Sequence, residues 1–88
     1  MDVRQRIGWN LRRLRVAKGL SQERLALEAE IDRSYVGRVE RGTENVTVGA
    51  LEAFSAILDI DVSALFAEID SSSSLPPPLR SGRKPKSH

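Results

Sequence analysis

The sequence has no cysteine and a single histidine, His88, which is its last residue. The lack of cysteine excludes disulfide bridges, cysteine zinc sites, iron–sulfur clusters and a thiol nucleophile. One terminal histidine offers almost nothing to a histidine metal site or a catalytic triad. No apolar run approaches the roughly 20 residues that span a membrane, and the N-terminus lacks the apolar segment of a signal peptide. We therefore expect a cytoplasmic protein that is not an enzyme, uses no metal or cofactor, and has no membrane partner.

The composition that is present predicts one small domain with a tail. The chain has 88 residues, of which 40% are hydrophobic and 30% charged, as in ordinary soluble domains. Beyond residue 70 come four serines, three prolines and then four basic residues, with few large apolar side chains. Such a segment buries too little surface to offset its ordering entropy. We predict an ordered domain over residues 3–69 and a flexible, disordered Ser/Pro-rich basic tail over residues 70–88.

Charge is distributed unevenly along the chain although its net value is only +2. Residues 1–41 carry a net charge of +4, residues 42–70 carry −6, and residues 71–88 carry +4. A molecule polarised in this way can turn one face towards a polyanion. Chance segregation of surface charge produces the same pattern, so charge alone does not decide between the two interpretations.

Apolar residues recur at helical spacing within residues 3–69. Ile7, Leu11 and Leu14 share one face of a first helix, and Gly19 ends it in the left-handed conformation that glycine adopts most easily. The capping residues predicted for four further helices are Ser21, Asp32, Thr47 and Asp61. No segment alternates with period two for long enough to form a convincing strand. The predicted fold class is all-α, with five short helices that must bury their apolar faces on one another.

Three segments of this helical pattern resemble a known family when they are taken in order. The runs IGWNLRRLR at 7–15 and KGLSQERLA at 18–26 resemble the opening of a phage-repressor-like (Cro/C1-type) helix-turn-helix domain, and IDRSYVGRVERG at 31–42 is similar to its recognition helix. The resemblance extends through two further helices, to about residue 67. Within the family, the sequence is similar to restriction–modification controller proteins and to phage-type repressors. The resemblance implies a bacterial or phage-encoded protein with a five-helix fold.

The function implied by the resemblance is sequence-specific regulation of transcription. We expect a homodimer that binds a palindromic operator in double-stranded DNA, with the third helix in the major groove. An arginine can donate two hydrogen bonds to guanine O6 and N7, which favours Arg33 and Arg38 as base contacts. Arg33 could instead pair with Glu30 or Asp32, whereas Arg38 has no strong acidic partner within its helix. The base-contacting residues predicted in full are Arg33, Ser34, Gly37 and Arg38.

A second group of residues flanks the recognition helix and is implied to contact the DNA backbone. Gln22 follows the Ser21 cap, where a helix N-terminus favours phosphate. The phosphate-contacting residues predicted are Gln22, Tyr35, Arg41 and Asn45. Two alternatives stay open: Tyr35 could cover the edge of the core, and Gly37 could lack any role. The family also implies a structural ion pair between Arg15 and Glu40.

The end of the domain carries more apolar side chains than one core requires. Its acidic character would repel DNA, so we expect it to face away from DNA and to form the dimer interface. The residues predicted there are Leu58, Ile60, Val62, Leu65, Phe66 and Ile69. Trp9 lies off the apolar face of the first helix, and packing against the domain and an interface role are equally consistent with its position.

Two other functions are compatible with the same residues. Several antitoxins use this fold both to bind a toxin and to repress their own operon, so a toxin protein is a candidate partner, as is RNA polymerase. A protein-interaction module that has lost DNA binding is the third possibility, since fold does not determine function. Gln22, Arg33 and Arg38 argue against that loss.

Overall fold

The computed structural model describes residues 2–69, and within this range the chain is entirely helical, with no β-strand. The four α-helices are α1 (Val3–Ala17), α2 (Gln22–Ala29), α3 (Arg33–Arg41) and α4 (Val48–Leu58). A 3₁₀-helix, Val62–Phe66, follows them. The all-α prediction is confirmed for this range, and the short fifth helix that was predicted takes the form of a 3₁₀-helix of five residues. The tail predicted for residues 70–88 lies outside the described residues.

Most predicted caps form hydrogen bonds to the first turn of their helices. The side chains of Ser21, Thr47 and Asp61 accept from backbone N–H groups two or three residues further on. These bonds satisfy donors that have no partner within the helix. The side-chain and backbone hydrogen bonds from Ser63 hold the pKa of Asp61 below its usual value. Asp32 occupies the cap position of α3, but its carboxylate accepts from the Ser34 hydroxyl instead.

The core lies where α1, α3 and the 3₁₀-helix meet α2 and α4. Each α-helix contributes at least one side chain that is almost wholly removed from solvent, so no helix is stable without its neighbours. The hydrophobic side chains with the least exposure are Leu11, Leu25, Val36, Val39, Phe54 and Leu65. Tyr35 and Ile57 are among the half-buried residues packed around them.

Two residues predicted for the dimer interface belong to this core. Leu58 is 3% exposed and Leu65 is fully buried. Both pack inside the monomer and offer almost no exposed surface to a partner, so we do not include them in the proposed interface. The sequence pattern predicts that both apolar side chains face inwards. It does not distinguish burial within one chain from burial against a second copy. The other predicted interface residues keep exposed surface, and they are Ile60, Val62, Phe66 and Ile69.

Asn10 connects the 3₁₀-helix to α1 through hydrogen bonds. Its side chain is 1% exposed, and its Nδ2 donates to the carbonyl oxygens of Leu65 (3.1 Å) and Ala67 (2.9 Å). A buried amide is stable only when its hydrogen bonds are satisfied. These two bonds therefore set the position of the 3₁₀-helix relative to α1. Nothing in the sequence pattern had singled out Asn10.

Gly8 marks the closest approach of α1 to α3. A Cβ atom at this position would lie 2.3 Å from the carbonyl oxygen of Val39 and 2.8 Å from that of Glu40. Both atoms belong to backbone, so they cannot move aside as a flexible side chain would. The absence of a side chain at residue 8 therefore lets the two helix backbones touch.

Gly8→Ala is expected to destabilise the domain by about 1–3 kcal/mol, as overpacking of an interior does. The clash outweighs the gain of up to about 1 kcal/mol that alanine brings to a helix. Gly49→Ala is the matched control, because a Cβ atom there meets nothing within 4 Å and only the helix-propensity gain remains. Urea unfolding followed by circular dichroism measures both changes. Equal stabilisation of the two variants would show that α1 and α3 are further apart than described.

Candidate nucleic-acid interface

A three-residue turn joins α2 to α3. Glu30 adopts a left-handed conformation, with φ of 59°, and the N–H of Ile31 donates to the carbonyl oxygen of Ala26 at 2.9 Å. These features end α2 and redirect the chain into α3. Because Val36 and Val39 are buried on one side of α3, its other side is presented outwards.

Glu40 links α3 to both preceding helices. Arg15 donates to it twice, from Nε to Oε2 at 2.6 Å and from Nη2 to Oε1 at 2.9 Å. Arg12 Nε lies 3.6 Å from Glu40 Oε1, and Gln22 Nε2 donates to the same oxygen at 3.0 Å. The Arg15 side chain is 1% exposed and that of Glu40 is fully buried, and Arg15 Nη1 also donates to the Leu20 carbonyl oxygen. The cluster therefore fixes the orientation of α3 relative to α1 and α2.

The outward side of α3 carries three of the four residues predicted to contact bases, Arg33, Ser34 and Arg38. Arg33 lies at its N-terminal end and is paired with Glu23 of α2, with Nε 3.6 Å from Oε2. Glu30 and Asp32, the partners considered from the sequence, make no ion pair with it. Both members of the observed pair are well exposed, so the pair is weak. The guanidinium of Arg33 is therefore accessible to another anion.

Arg38 has an acidic partner that helical spacing did not reveal. Its Nε donates to Glu44 Oε1 at 2.7 Å, and its Nη1 donates to Ser34 Oγ at 3.4 Å. The hydrogen bond to Glu44 is the main reason that the pKa of Arg38 is raised above its usual value. Gly42 ends α3 in a left-handed conformation, with φ of 78°, and the chain then turns back so that Glu44 faces Arg38. The same guanidinium lies 5.7 Å from the centre of the Tyr35 ring.

Gly37 is buried beneath two of the residues predicted to contact phosphate. A Cβ atom at Gly37 would lie 3.3 Å from Arg41 Nη1 and 4.0 Å from Gln22 Oε1. Gln22 and Arg41 thus converge over the middle of α3. A direct base contact at Gly37 would require the ends of these two side chains to move aside.

Tyr35 and Asn45 occupy different environments. Tyr35 is half-buried against the core, and its hydroxyl oxygen accepts from the backbone N–H of Thr47 at 3.1 Å. The hydroxyl hydrogen remains a donor, so a core-edge position leaves room for a phosphate contact. Asn45 is exposed, and its Oδ1 accepts from Arg4 at 3.5 Å. Trp9 is half-buried on α1, with the Arg13 guanidinium 5.8 Å from its ring.

Among residues 2–69, no group of three or more acidic or histidine side chains is placed to hold a metal ion. None of the helices described here is both long enough and apolar enough to cross a membrane.

Comparison with known proteins identifies the relatives of this arrangement. A family model described as a helix-turn-helix domain matches residues 6–67. The control protein C.MunI of Mycoplasma sp is 41% identical over 70 residues, which cover 78% of this chain and 95% of that protein.

Solved structures agree with the sequence comparison. The restriction–modification controller protein C.AhdI from Aeromonas hydrophila is 49% identical, with a TM-score of 0.70 over 72% of this chain and 96% of that one. C.Esp1396I, solved bound to a 19 base pair DNA duplex, is 27% identical, with a TM-score of 0.68 over 75% of this chain and 88% of that one. C.MunI is named as a control protein and C.AhdI as a restriction–modification controller protein.

Proposed function

Because the chain belongs to the helix-turn-helix family of DNA-binding transcriptional regulators, we propose that it binds a palindromic operator as a homodimer, with α3 in the major groove. The observation that carries this proposal is the exposed side of α3. Arg33 and Arg38 project there while the opposite side is fixed by Glu40 and the core. A rigid helix that presents donors outwards suits the recognition of base edges.

Within this proposal, Arg33, Ser34 and Arg38 contact bases. Both arginines offer N–H groups that can pair with guanine, and Ser34 lies on the same exposed side of α3. Gly37 stays beneath Gln22 and Arg41 and makes no base contact. The phosphate contacts come from the residues around it, which are Gln22, Tyr35, Arg41 and Asn45.

Gln22 has two functions in this arrangement. It stands at the first position of α2, where free N–H groups and the helix dipole favour a phosphate. Its side chain also donates to Glu40. A phosphate bound at the start of α2 is thereby coupled to the residue that orients α3.

The dimer interface is proposed at the end of the domain. Val62 is 42% exposed and Phe66 is 38% exposed, and the half-buried Ile60 and Ile69 are close to them in sequence. Apolar surface of this kind favours a second copy of the chain. A dimer with twofold symmetry would place its two α3 helices on half-sites about one helical turn, roughly 34 Å, apart.

The test of the proposal is selection from a random duplex DNA library at fixed, moderate salt. Enrichment of a palindrome with half-sites about one turn apart is the expected result. If the chain binds DNA only in bulk and with strong salt sensitivity, or does not bind at all, sequence-specific regulation is wrong. A search for a co-purifying toxin would then follow, since an antitoxin remains the alternative.

Arg38→Ala should weaken binding to the selected operator by about 5- to 150-fold, which corresponds to loss of one bidentate base contact. Binding to random DNA should change much less, because that binding depends on phosphate contacts. Gln22→Ala is the contrasting variant and should weaken operator and random DNA similarly. Fluorescence anisotropy at one salt concentration measures all four affinities. Equal losses on both DNAs for Arg38→Ala would contradict a base contact.

A further inference from the structure

A carboxylate stands within the cationic surface that is proposed to face DNA. Glu44 lies just after α3, its side chain is 24% exposed, and its Oε1 is 2.7 Å from Arg38 Nε. A negative charge near the phosphate backbone weakens binding to any DNA sequence. An ion pair at the surface, here with side chains 43% and 24% exposed, contributes only modestly to folding stability. Neither overall affinity for DNA nor folding stability therefore accounts for a carboxylate at this position.

The hydrogen bonds of Arg38 indicate what Glu44 does. Its guanidinium has five N–H donors in one plane. Glu44 accepts from Nε, and Ser34 accepts from Nη1. Ser34 is itself anchored, because its hydroxyl donates to Asp32. The remaining N–H groups on the two Nη atoms form an edge that matches O6 and N7 of guanine.

We infer that Glu44 is a positioning residue, which orients the guanidinium of Arg38 and so determines the base-pair specificity of this protein. The inference rests on the proposed function. A free arginine side chain loses several torsional degrees of freedom when it binds, and this loss lowers affinity. A side chain that is already oriented loses less, and it presents its donors to one base pair rather than to several.

A purely structural role for Glu44 is less consistent with the surrounding contacts. The segment after α3 is already attached to Arg38 through its backbone. The N–H of Thr43 donates to the Arg38 carbonyl oxygen at 3.1 Å, and Thr43 Oγ1 donates to the same oxygen at 3.2 Å. The side chain of Glu44 is therefore not needed to hold this segment against α3.

Two substitutions separate the charge of Glu44 from its role as an acceptor. Glu44→Gln removes the charge but keeps an oxygen that accepts from Arg38 Nε, whereas Glu44→Ala removes both. Both variants should bind random DNA more tightly than the wild type, because one repulsive charge is gone. Only Glu44→Ala should lose discrimination, by about fivefold or more, at the base pair that Arg38 contacts. Glu44→Gln should retain that discrimination to within about twofold.

The measurement is competition binding of the selected operator against all of its single-base-pair variants, at one salt concentration. Arg38→Ala identifies the base pair that depends on Arg38. Glu44→Ala in an Arg38→Ala background should then leave discrimination unchanged, because the two residues act as one unit. Glu52→Gln, which removes an exposed charge from α4, is the control for net charge. Thermal unfolding shows that each variant is folded.

Several results would overturn the inference. If Glu44→Ala tightens operator and random DNA equally and keeps its specificity, Glu44 only masks charge. If it relaxes every operator position together, Glu44 supports the fold of the surface rather than Arg38. If the operator is selected but Arg38→Ala changes no base-pair preference, the inference is wrong while DNA binding stands. If the wild type selects no sequence at all, the proposed function fails as well.

Discussion

Glu40→Ala is expected to destabilise the folded domain by about 3–5 kcal/mol, the cost of leaving a buried charge without its partner. Arg15 would keep a side chain that is 1% exposed but lose both hydrogen bonds to the carboxylate. Arg12 would add like-charge repulsion, because it shares Glu40 in the native structure. Gln22 would lose an acceptor as well. A domain of this size has about 5–10 kcal/mol of stability in total, so the substitution removes between about a third and all of it.

Urea unfolding followed by circular dichroism at pH 7 measures this loss. The matched control is Glu28→Ala, which breaks an exposed pair with Arg24 within α2 and should cost no more than about 0.5 kcal/mol. Glu40→Gln should lie between the two, because its amide oxygen still accepts one hydrogen bond. A Glu40→Ala variant as stable as Glu28→Ala would show that Arg15 reaches solvent and that the cluster does not hold α3 in place.

Local sequence signals predicted the helices well because caps and periodicity act within one helix. Ser21 and Thr47 accept from backbone N–H groups three residues further on, as an N-cap requires. Gly19 and Gly42 adopt the left-handed conformation that ends a helix. These features depend only on neighbouring residues, so they are visible without a structure.

Contacts between helices could not be predicted from the same signals. Gly8 matters because α1 crosses α3 at that residue, and Asn10 matters because the 3₁₀-helix ends beside it. Glu44 is six residues from Arg38, a spacing that does not place two residues on one helix face. Its contact exists because the chain turns back after Gly42. In each case the contact depends on where two elements of the fold meet or where the chain reverses direction. The spacing of residues along the sequence encodes neither.

The pairing of Arg15 with Glu40 is a different case. The two residues are 25 positions apart, and only the family resemblance indicated that they meet. The structure adds that Arg12 and Gln22 reach the same carboxylate. For the end of the domain, apolar spacing alone placed Leu58 and Leu65 with the exposed residues, since it cannot distinguish a core from an interface.

Phe66→Glu is expected to convert the protein to a monomer and to weaken operator binding by about 10²- to 10⁴-fold, because two linked half-sites would then be bound independently. Phe66 is 38% exposed, so the charge should be tolerated by the fold. The new carboxylate adds to the net charge of −6 that residues 42–70 carry, so two copies of the chain would repel each other across this surface. Binding to an isolated half-site should be unchanged.

Analytical ultracentrifugation measures the self-association, and anisotropy on full operators and half-sites measures the DNA binding. Leu27→Glu is the matched control: Leu27 is 71% exposed and belongs to α2 rather than to the 3₁₀-helix, and this variant should remain dimeric. A Phe66→Glu variant that still sediments as a dimer would place the interface elsewhere. A monomer that keeps full operator affinity would instead mean that one copy occupies the whole site. The two measurements therefore test two separate claims. The sedimenting mass tests the proposed dimer interface, and the difference in affinity between full operators and half-sites tests the palindromic operator.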